Sequence, residues 1–183
     1  MAESARLGAR VAAFASAAAL STTQDLVRLT LPALGPEANA ETVAEETLVL
    51  VSTVTARAAE VGLTSTEAVL AVGAALAELP FLYHDFLLGA EMVAQGAEGD
   101  VEPDQSIYQR LSRKADFYGV HLPPGRFPGP RALGDKLPLW MGRVSPPGLP
   151  TTPDRRLGDL GLVDVLSAHA RLVMAFAQQA AGA

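Results

Sequence analysis

A segment rich in proline and glycine constrains the fold of this chain more than any other feature. Residues 119–156 hold nine of the thirteen prolines and the single tryptophan, Trp140. Proline removes a backbone donor and fixes φ, so this segment cannot form a long regular helix. Its large apolar side chains, such as Phe127, Leu137 and Trp140, still need a surface to pack on. We therefore predict an irregular strap over 119–156, with one short strand or a 3₁₀ turn near 136–143.

The rest of the chain is typical of packed helices. Of its 183 residues, 49% are hydrophobic, yet aromatic residues make up only 5%. The apolar residues are mainly alanine, leucine and valine, a balance that favours helices over a β-sandwich. We predict a single all-α domain with five to seven helices in a bundle-like or orthogonal packing. Cysteine is absent, which excludes disulfides and thiolate metal sites and fits the cytoplasmic location that we expect.

Helical periodicity and capping signals divide the chain into segments. The acidic, alanine-rich part is 1–95, and 96–103 reads as an exposed linker. The ten uncharged residues at 68–77 follow a capping box formed by Thr64 and Glu67, and they predict the central helix of the bundle. The predicted helices are 3–20, a short second helix ending at residue 34, 41–61, 68–77, 81–95 after a break at Pro80, 104–118 and 160–180.

Charge is distributed unevenly between the two halves. Residues 1–100 carry thirteen acidic and four basic side chains (−9), whereas 101–183 carry seven and ten (+3). The halves therefore attract each other, or each attracts a complementary partner. We expect the strap to lie on the acidic helices of its own chain.

The N-terminal residues loosely resemble a secretory signal. An apolar run at 11–20 follows Arg6 and Arg10. The run is rich in alanine and Glu3 precedes it, so we interpret it as a retained helix, although the sequence leaves a targeting role open. Charges interrupt every long apolar stretch, and we expect no membrane span. We also expect no peripheral membrane binding, because 3–20 has few large apolar side chains and few basic ones.

Polar side chains follow the predicted break at Pro80. Tyr83, His84 and Asp85 are consecutive, and Glu78 lies seven residues before Asp85, on the same helical face if the helix stays straight. A broken helix leaves carbonyl groups that can line a pocket, and paired carboxylates can act as acid and base. These four residues are the only catalytic candidates. The simpler interpretation, which we favour, is a polar edge where the helix meets solvent.

No motif for a metal or a nucleotide is present. The histidines at 84, 121 and 169 form no HxxxH or ExxH pair, so we predict no metal site. His169 falls on an apolar stripe and is expected to be a hydrogen-bonded core residue. The chain has no GxxxxGK[ST], GxGxxG, GxSxG, HExxH or EF-hand pattern, and its cofactor, if it has one, is left open.

Basic and aromatic residues alternate from the helix at 104–118 into the strap. This combination occurs both in nucleic-acid grooves and in protein interfaces. The chain has a pI near 5.0, which favours a protein partner over nucleic acid. The candidate partner-binding residues are Arg110, Arg113, Lys114, Arg126, Phe127, Arg131, Lys136, Trp140 and Arg143.

Two functions fit these observations. The first is a non-catalytic structural or interaction subunit of a larger assembly, which contacts another protein or another copy of itself through the strap and the helix at 104–118. The alternative is a helical enzyme subunit or small-ligand-binding domain. Its pocket would lie near Pro80 under the strap, with Arg126 or Arg131 holding an anionic ligand. The absence of any catalytic motif makes us favour the first.

Overall fold

Six α-helices account for nearly all of the chain that the structure describes. This computed structural model describes residues 2–94, 105–145, 157 and 160–182. Within them there is no β-strand, which confirms the all-α prediction. The helices are α1 (Ala2–Leu34), α2 (Ala40–Gly62), α3 (Thr66–Ala94), α4 (Gln105–His121), α5 (Pro130–Val144) and α6 (Leu162–Ala181).

Helix α2 is the centre of the fold, since it contacts each of the other five helices. It begins where the Asn39 side chain accepts a 2.8 Å hydrogen bond from the Thr42 amide. Its buried positions include polar residues: Thr47 and Thr55 are covered, and each hydroxyl donates to the carbonyl four residues earlier. The prediction that 68–77 would be the central helix was wrong. Those residues belong to α3, which lies at the periphery.

Helix α1 is continuous where we predicted two helices. The polar residues at 21–23 look like caps in the sequence, but Thr22 and Thr23 pack between helices instead. The Thr22 hydroxyl is hydrogen-bonded to His169 of α6, and Thr23 is buried. Thr22 and Thr23 therefore have the sequence pattern of a helix N-terminus but contact neighbouring helices in the structure.

Helix α3 is also continuous, through Pro80, where we predicted a break. Pro80 has no N–H to donate to the Leu76 carbonyl. Burial of Leu76, Leu79 and Pro80 compensates for the lost hydrogen bond. At the start of the helix the cap is Ser65, not Thr64, because the Ser65 hydroxyl accepts from the Ala68 amide at 3.3 Å.

The segment Thr66–Asp85 of α3 is long and apolar enough, by length and composition, to cross a membrane. Its mean hydropathy is 1.4, and only 28% of the window that gives this value is buried in the protein. Glu67 and Glu78 interrupt this segment, as we expected from the sequence, but it remains apolar enough to meet these two criteria. The same test is passed by core helices of soluble proteins, but those are mostly buried.

The middle of the predicted strap is the helix α5, not a strand or a 3₁₀ turn. Pro130 occupies the first helical position, where a missing N–H costs nothing, and Gly129 precedes it as N-cap. Pro138 lies on the exposed side, so the carbonyl that it leaves unbonded faces solvent. Residues 122–129 are irregular, while 146–156 and the predicted linker at 96–103 lie outside the described residues.

All six helices contribute to one hydrophobic core. Among the glycines of the described residues, Gly62 has the least space for a side chain, at the point where α2 meets α6. A Cβ at this position would lie 2.7 Å from the Ala177 Cβ and 2.7 Å from the Met174 carbonyl oxygen. Glycine is therefore required here by lack of space, since a backbone atom cannot move aside as a flexible side chain can.

The change Gly62→Ala tests this packing. Alanine is a better helix former than glycine, yet we expect it to lower the free energy of unfolding by about 1–3 kcal/mol, because it overpacks the contact with α6. Chemical denaturation measures the difference. The control is Gly134→Ala on α5, where an added Cβ meets no atom within 4 Å and should stabilise by about 0.5–1 kcal/mol. Stabilisation by both changes would contradict the proposed close contact.

Candidate functional site

Two carboxylates at the start of α2 gather basic side chains from α4 and α5. Glu46 is buried, with only 4% of its side chain exposed. Its carboxylate accepts two hydrogen bonds from Arg143, at 2.8 and 2.9 Å, and one from the Tyr118 hydroxyl at 2.7 Å. Lys114 Nζ lies 3.2 Å from the same carboxylate. This buried network joins three helices through one acidic residue.

The network changes the pKa of the groups in it. Burial by itself would raise the pKa of the Glu46 carboxyl, but hydrogen bonds from Arg143 and Tyr118 and the charge of Lys114 lower it below its usual value. Burial and the adjacent Glu46 carboxylate raise the pKa of Tyr118. Glu46 is therefore ionised and Tyr118 protonated at neutral pH.

Glu45 makes a second set of ion pairs beside the first. Its carboxylate accepts hydrogen bonds from Lys114 at 2.7 Å and from Arg110 Nε at 3.2 Å, and Arg110 also reaches Glu41 at 3.3 Å. Although burial opposes it, hydrogen bonding to Arg110 and Lys114 lowers the pKa of Glu45. The part of this cluster at Glu41 is open to solvent, where ion pairs contribute little to stability.

The structure thus separates the nine predicted partner-binding residues into two groups. Arg110, Lys114 and Arg143 are paired with the chain's own carboxylates, and Trp140 is 1% exposed in the core. For Arg143 this confirms the interpretation that the strap lies on its own acidic helices. The remaining five stay at or near the surface, with three exposed and two half-buried. They are Arg113, Arg126, Phe127, Arg131 and Lys136.

The four catalytic candidates lie near one another, and none of them lines the groove beside Pro80 that is described below. Tyr83 packs partly against the core, and His84 Nδ1 lies 4.0 Å from Asp85 Oδ1, too far for a hydrogen bond. Asp85 accepts a hydrogen bond from Tyr108 at 2.9 Å. This bond, with the charge of Glu78 adding to it, raises the pKa of Tyr108. The arrangement is that of an exposed polar edge.

A possible cation-binding group lies beside that edge. One ligand atom from each of Glu41, Glu45 and His84 falls within 4.8 Å of the others. Two carboxylates and an imidazole suit a divalent cation. However, Arg110 and Lys114 already neutralise the carboxylates, and a bound cation would have to displace them. We therefore assign these residues to the packing of α2 against α4.

A groove with a free volume of about 190 Å³ does exist beside Pro80, between α2, α3 and α4. Tyr83, His84 and Asp85 do not line it, nor do Arg126 and Arg131. Its polar side chains come from α2, and sequence reasoning missed them because they lie within an apolar helical pattern. The available signal was glycine inside α3 and α4, where glycine weakens a helix. The lining residues are Val49, Ser52, Thr53, Ala56, Arg57, Gly73, Leu76, Ala77, Pro80, Ala115 and Gly119.

The outer side of α3 exposes large apolar side chains. Leu70 is 68% exposed and Leu82 is 61% exposed, and Ala74 and Ala77 lie exposed between them. We call this surface the α3 face. It also contains three exposed carboxylates, and the sequence of α3 has no lysine or arginine. These carboxylates belong to Glu67, Glu78 and Asp85.

His169 is a buried, hydrogen-bonded core residue, as the sequence predicted. Thr55 Oγ1 donates its single proton to the Val51 carbonyl, so it must accept from His169 Nε2–H at 2.6 Å. His169 Nδ1 is then an acceptor for the Thr22 hydroxyl at 2.9 Å. Burial lowers the pKa of His169 to about 4. The neutral ring joins α1, α2 and α6.

Comparison with known proteins found no matching protein family, no matching curated protein and no matching solved structure.

Removal of Arg143 tests the Glu46 network. Arg143→Met leaves a buried carboxylate with two fewer hydrogen bonds, so we expect the free energy of unfolding to fall by about 2 kcal/mol. Arg113→Met is the matched control, because Arg113 is an exposed cation of α4, and it should change stability by less than about 0.5 kcal/mol. Urea denaturation at neutral pH measures both. Equal effects would mean that the network does not stabilise the fold.

The buried imidazole predicts a dependence of stability on pH. Below the unfolded pKa of 6.5 the unfolded chain gains a proton at His169, while the folded chain does not until about pH 4. Stability should therefore fall by about 2 kcal/mol between about pH 7.5 and about pH 5. This pH range lies above 4.5, the ordinary pKa of a glutamate carboxyl in the unfolded chain. Glu45 and Glu46, whose pKa is lowered by folding, therefore reduce stability only at lower pH. In His169→Gln this part of the loss should disappear, and an unchanged pH profile would refute the assignment.

Proposed function

We propose that this protein is a non-catalytic interaction subunit whose α3 face binds a basic amphipathic helix of a different protein. One observation carries the proposal: α3 is the most apolar helix of the described chain, yet less than a third of its most apolar stretch is buried. Large exposed apolar surfaces on a folded domain are typical of binding sites for other macromolecules.

The spacing on the α3 face suits a helical partner. Leu70, Ala74 and Ala77 lie on one side of α3, and Leu82 lies about 120° further round the helix and roughly 18 Å along it. The alanines are small, so a partner helix can approach closely beside Leu70. An amphipathic helix that lays its apolar side in such a surface is a common mode of recognition.

The charge on the α3 face selects the kind of partner. Glu67 and Glu78 form no ion pair with any residue in the described ranges, and Asp85 retains one carboxylate oxygen without a hydrogen bond to them. A partner with lysine or arginine beside its apolar stripe would complement these groups. A second copy of this chain would instead place carboxylate against carboxylate, so we favour a different protein.

The strap is a weaker candidate for the contact than our sequence analysis suggested. Trp140, the expected anchor, is covered by the chain's own core, and Arg143 is committed to Glu46. Arg126, Phe127, Arg131 and Lys136 are the parts of the predicted strap that still reach solvent, and Arg126 and Arg131 serve as the comparison set in the test below.

The proposal is tested with a synthetic leucine–lysine helix of about 18 residues, labelled for fluorescence anisotropy. We expect a Kd of about 10 µM for the wild-type chain, and about tenfold weaker binding for the double variants Leu70→Ser/Leu82→Ser and Glu67→Lys/Glu78→Lys. All four positions are exposed, so folding should be unaffected. Circular dichroism confirms that each variant keeps its helix content.

Matched controls separate the α3 face from general stickiness. Leu172→Ser removes an exposed leucine of α6, and Glu3→Lys/Glu37→Lys makes the same change in net charge at exposed sites elsewhere. Both should bind as the wild type does. Weaker binding only in Arg126→Ala/Arg131→Ala would move the contact to the strap. If analytical ultracentrifugation shows dimers that Leu70→Ser/Leu82→Ser abolishes, the α3 face binds a second copy of this chain. If the protein sediments with phosphatidylcholine vesicles, the α3 face binds lipid.

A further inference from the structure

The groove beside Pro80 adjoins the α3 face, because Ala77 belongs to both. Its walls are apolar, formed by Val49 and Ala56 of α2, Leu76 and Pro80 of α3, and Ala115 of α4. The volume of about 190 Å³ is somewhat larger than an engineered cavity of about 150 Å³ that holds one benzene molecule. It therefore suits a compact ligand of about six to nine non-hydrogen atoms.

A buried hydroxyl without a partner lines this groove. Ser52 is 4% exposed, and its Oγ makes no hydrogen bond within the described chain. The neighbouring Thr53, which also lines the groove, donates its hydroxyl hydrogen to the Val49 carbonyl at 2.8 Å. A hydroxyl in this helix can therefore find a partner in the preceding turn, but that of Ser52 does not. An unpaired buried polar group is destabilising, and a ligand oxygen would satisfy it once the Ser52 side chain turns its hydroxyl toward the groove.

Two glycines keep the groove open without any packing requirement. Gly73 lies inside α3 and Gly119 inside α4, where glycine weakens a helix relative to alanine. Neither has a positive φ, and a Cβ at either position would meet no atom within 4 Å. Gly62, by contrast, is required by close packing. The absence of side chains at 73 and 119 therefore preserves empty space.

The groove also has a positive charge. Arg57 lines it, with 21% of the side chain exposed. Its Nε donates to the Leu122 carbonyl at 2.7 Å, which fixes the guanidinium in place. Glu60 lies 3.5 Å from Nη1, at the limit of a hydrogen bond, so the charge of Arg57 is only loosely compensated. A guanidinium held in this way is well suited to bind a carboxylate.

We propose that this groove binds a small monocarboxylic acid with a compact apolar body. The apolar part lies between Leu76 and Ala115, while the carboxylate accepts from Arg57 and from the Ser52 hydroxyl. This site is independent of the partner helix proposed above, and it needs neither Tyr83 nor His84.

Titration with hexanoate, which has eight non-hydrogen atoms, tests the proposal. The readout is a ¹⁵N–¹H NMR spectrum, because the amides of Gly73 and Gly119 report directly on the groove. We expect saturable shifts at both amides with a Kd of about 1 mM or lower. The alcohol 1-hexanol has the same chain without the charge and should bind at least about tenfold more weakly.

Variants connect binding to the groove. Gly73→Val fills the open space and should weaken hexanoate binding at least about tenfold, and Arg57→Gln should do the same by removing the charge. Ser52→Ala should weaken it about threefold to tenfold. Gly134→Val is the matched control, because an added Cβ there also meets no atom, but the residue lies on the surface of α5. It should leave the Kd unchanged.

Several outcomes would overturn the inference. Binding of hexanoate to Gly73→Val with wild-type affinity would place the ligand elsewhere, and so would shifts that avoid Gly73 and Gly119. Equal affinities for hexanoate and 1-hexanol would refute recognition of the carboxylate. If Gly73→Val fails to fold, Arg57→Gln and Ser52→Ala still decide the question. Because the probes differ, failure here leaves the peptide experiment on the α3 face unaffected.

Discussion

The fold depends on one buried carboxylate, Glu46 of α2. A charge removed from water is costly unless it is paired and hydrogen-bonded, and this one receives partners from two other helices. Tyr118 and Lys114 come from α4, and Arg143 comes from α5. Since their removal would leave an isolated buried charge, the positions of α4 and α5 relative to α2 are tightly specified. A hydrophobic contact alone would allow these helices to slide.

The uneven charge of the sequence has its explanation in this network. The acidic half supplies Glu45 and Glu46, and the basic half supplies the cations that cover them. Attraction between the halves is thus partly satisfied within the chain. The surface that is left without a partner within the described chain is the apolar α3 face with its carboxylates. The sequence had suggested a continuous basic strap instead.

Local patterns in the sequence predicted the helical class and most helix positions, because apolar periodicity and capping are local properties. They failed where tertiary contacts override local signals. Thr22 looks like a cap but binds His169, and Pro80 looks like a helix break but is buried in a continuous helix. Pro130 looks like part of an irregular strap but begins a helix.

For the candidate site, Arg143 and Trp140 were recognised as important, but sequence alone cannot say whether such residues face a partner or the core. Ser52 carried no signal, since burial without a partner is visible only in three dimensions.

The distribution of polarity supports the proposal that the chain acts in contact with another protein. Here Glu46 and Lys114 have side chains that are 4% and 8% exposed, while Leu70 and Leu82 are more than half exposed. The inner charges are explained by the pairing of α2 with α4 and α5, but nothing in the described fold covers the outer leucines. In our proposal the partner helix covers these leucines, so the α3 face is the place where a function for this helical domain should be sought first.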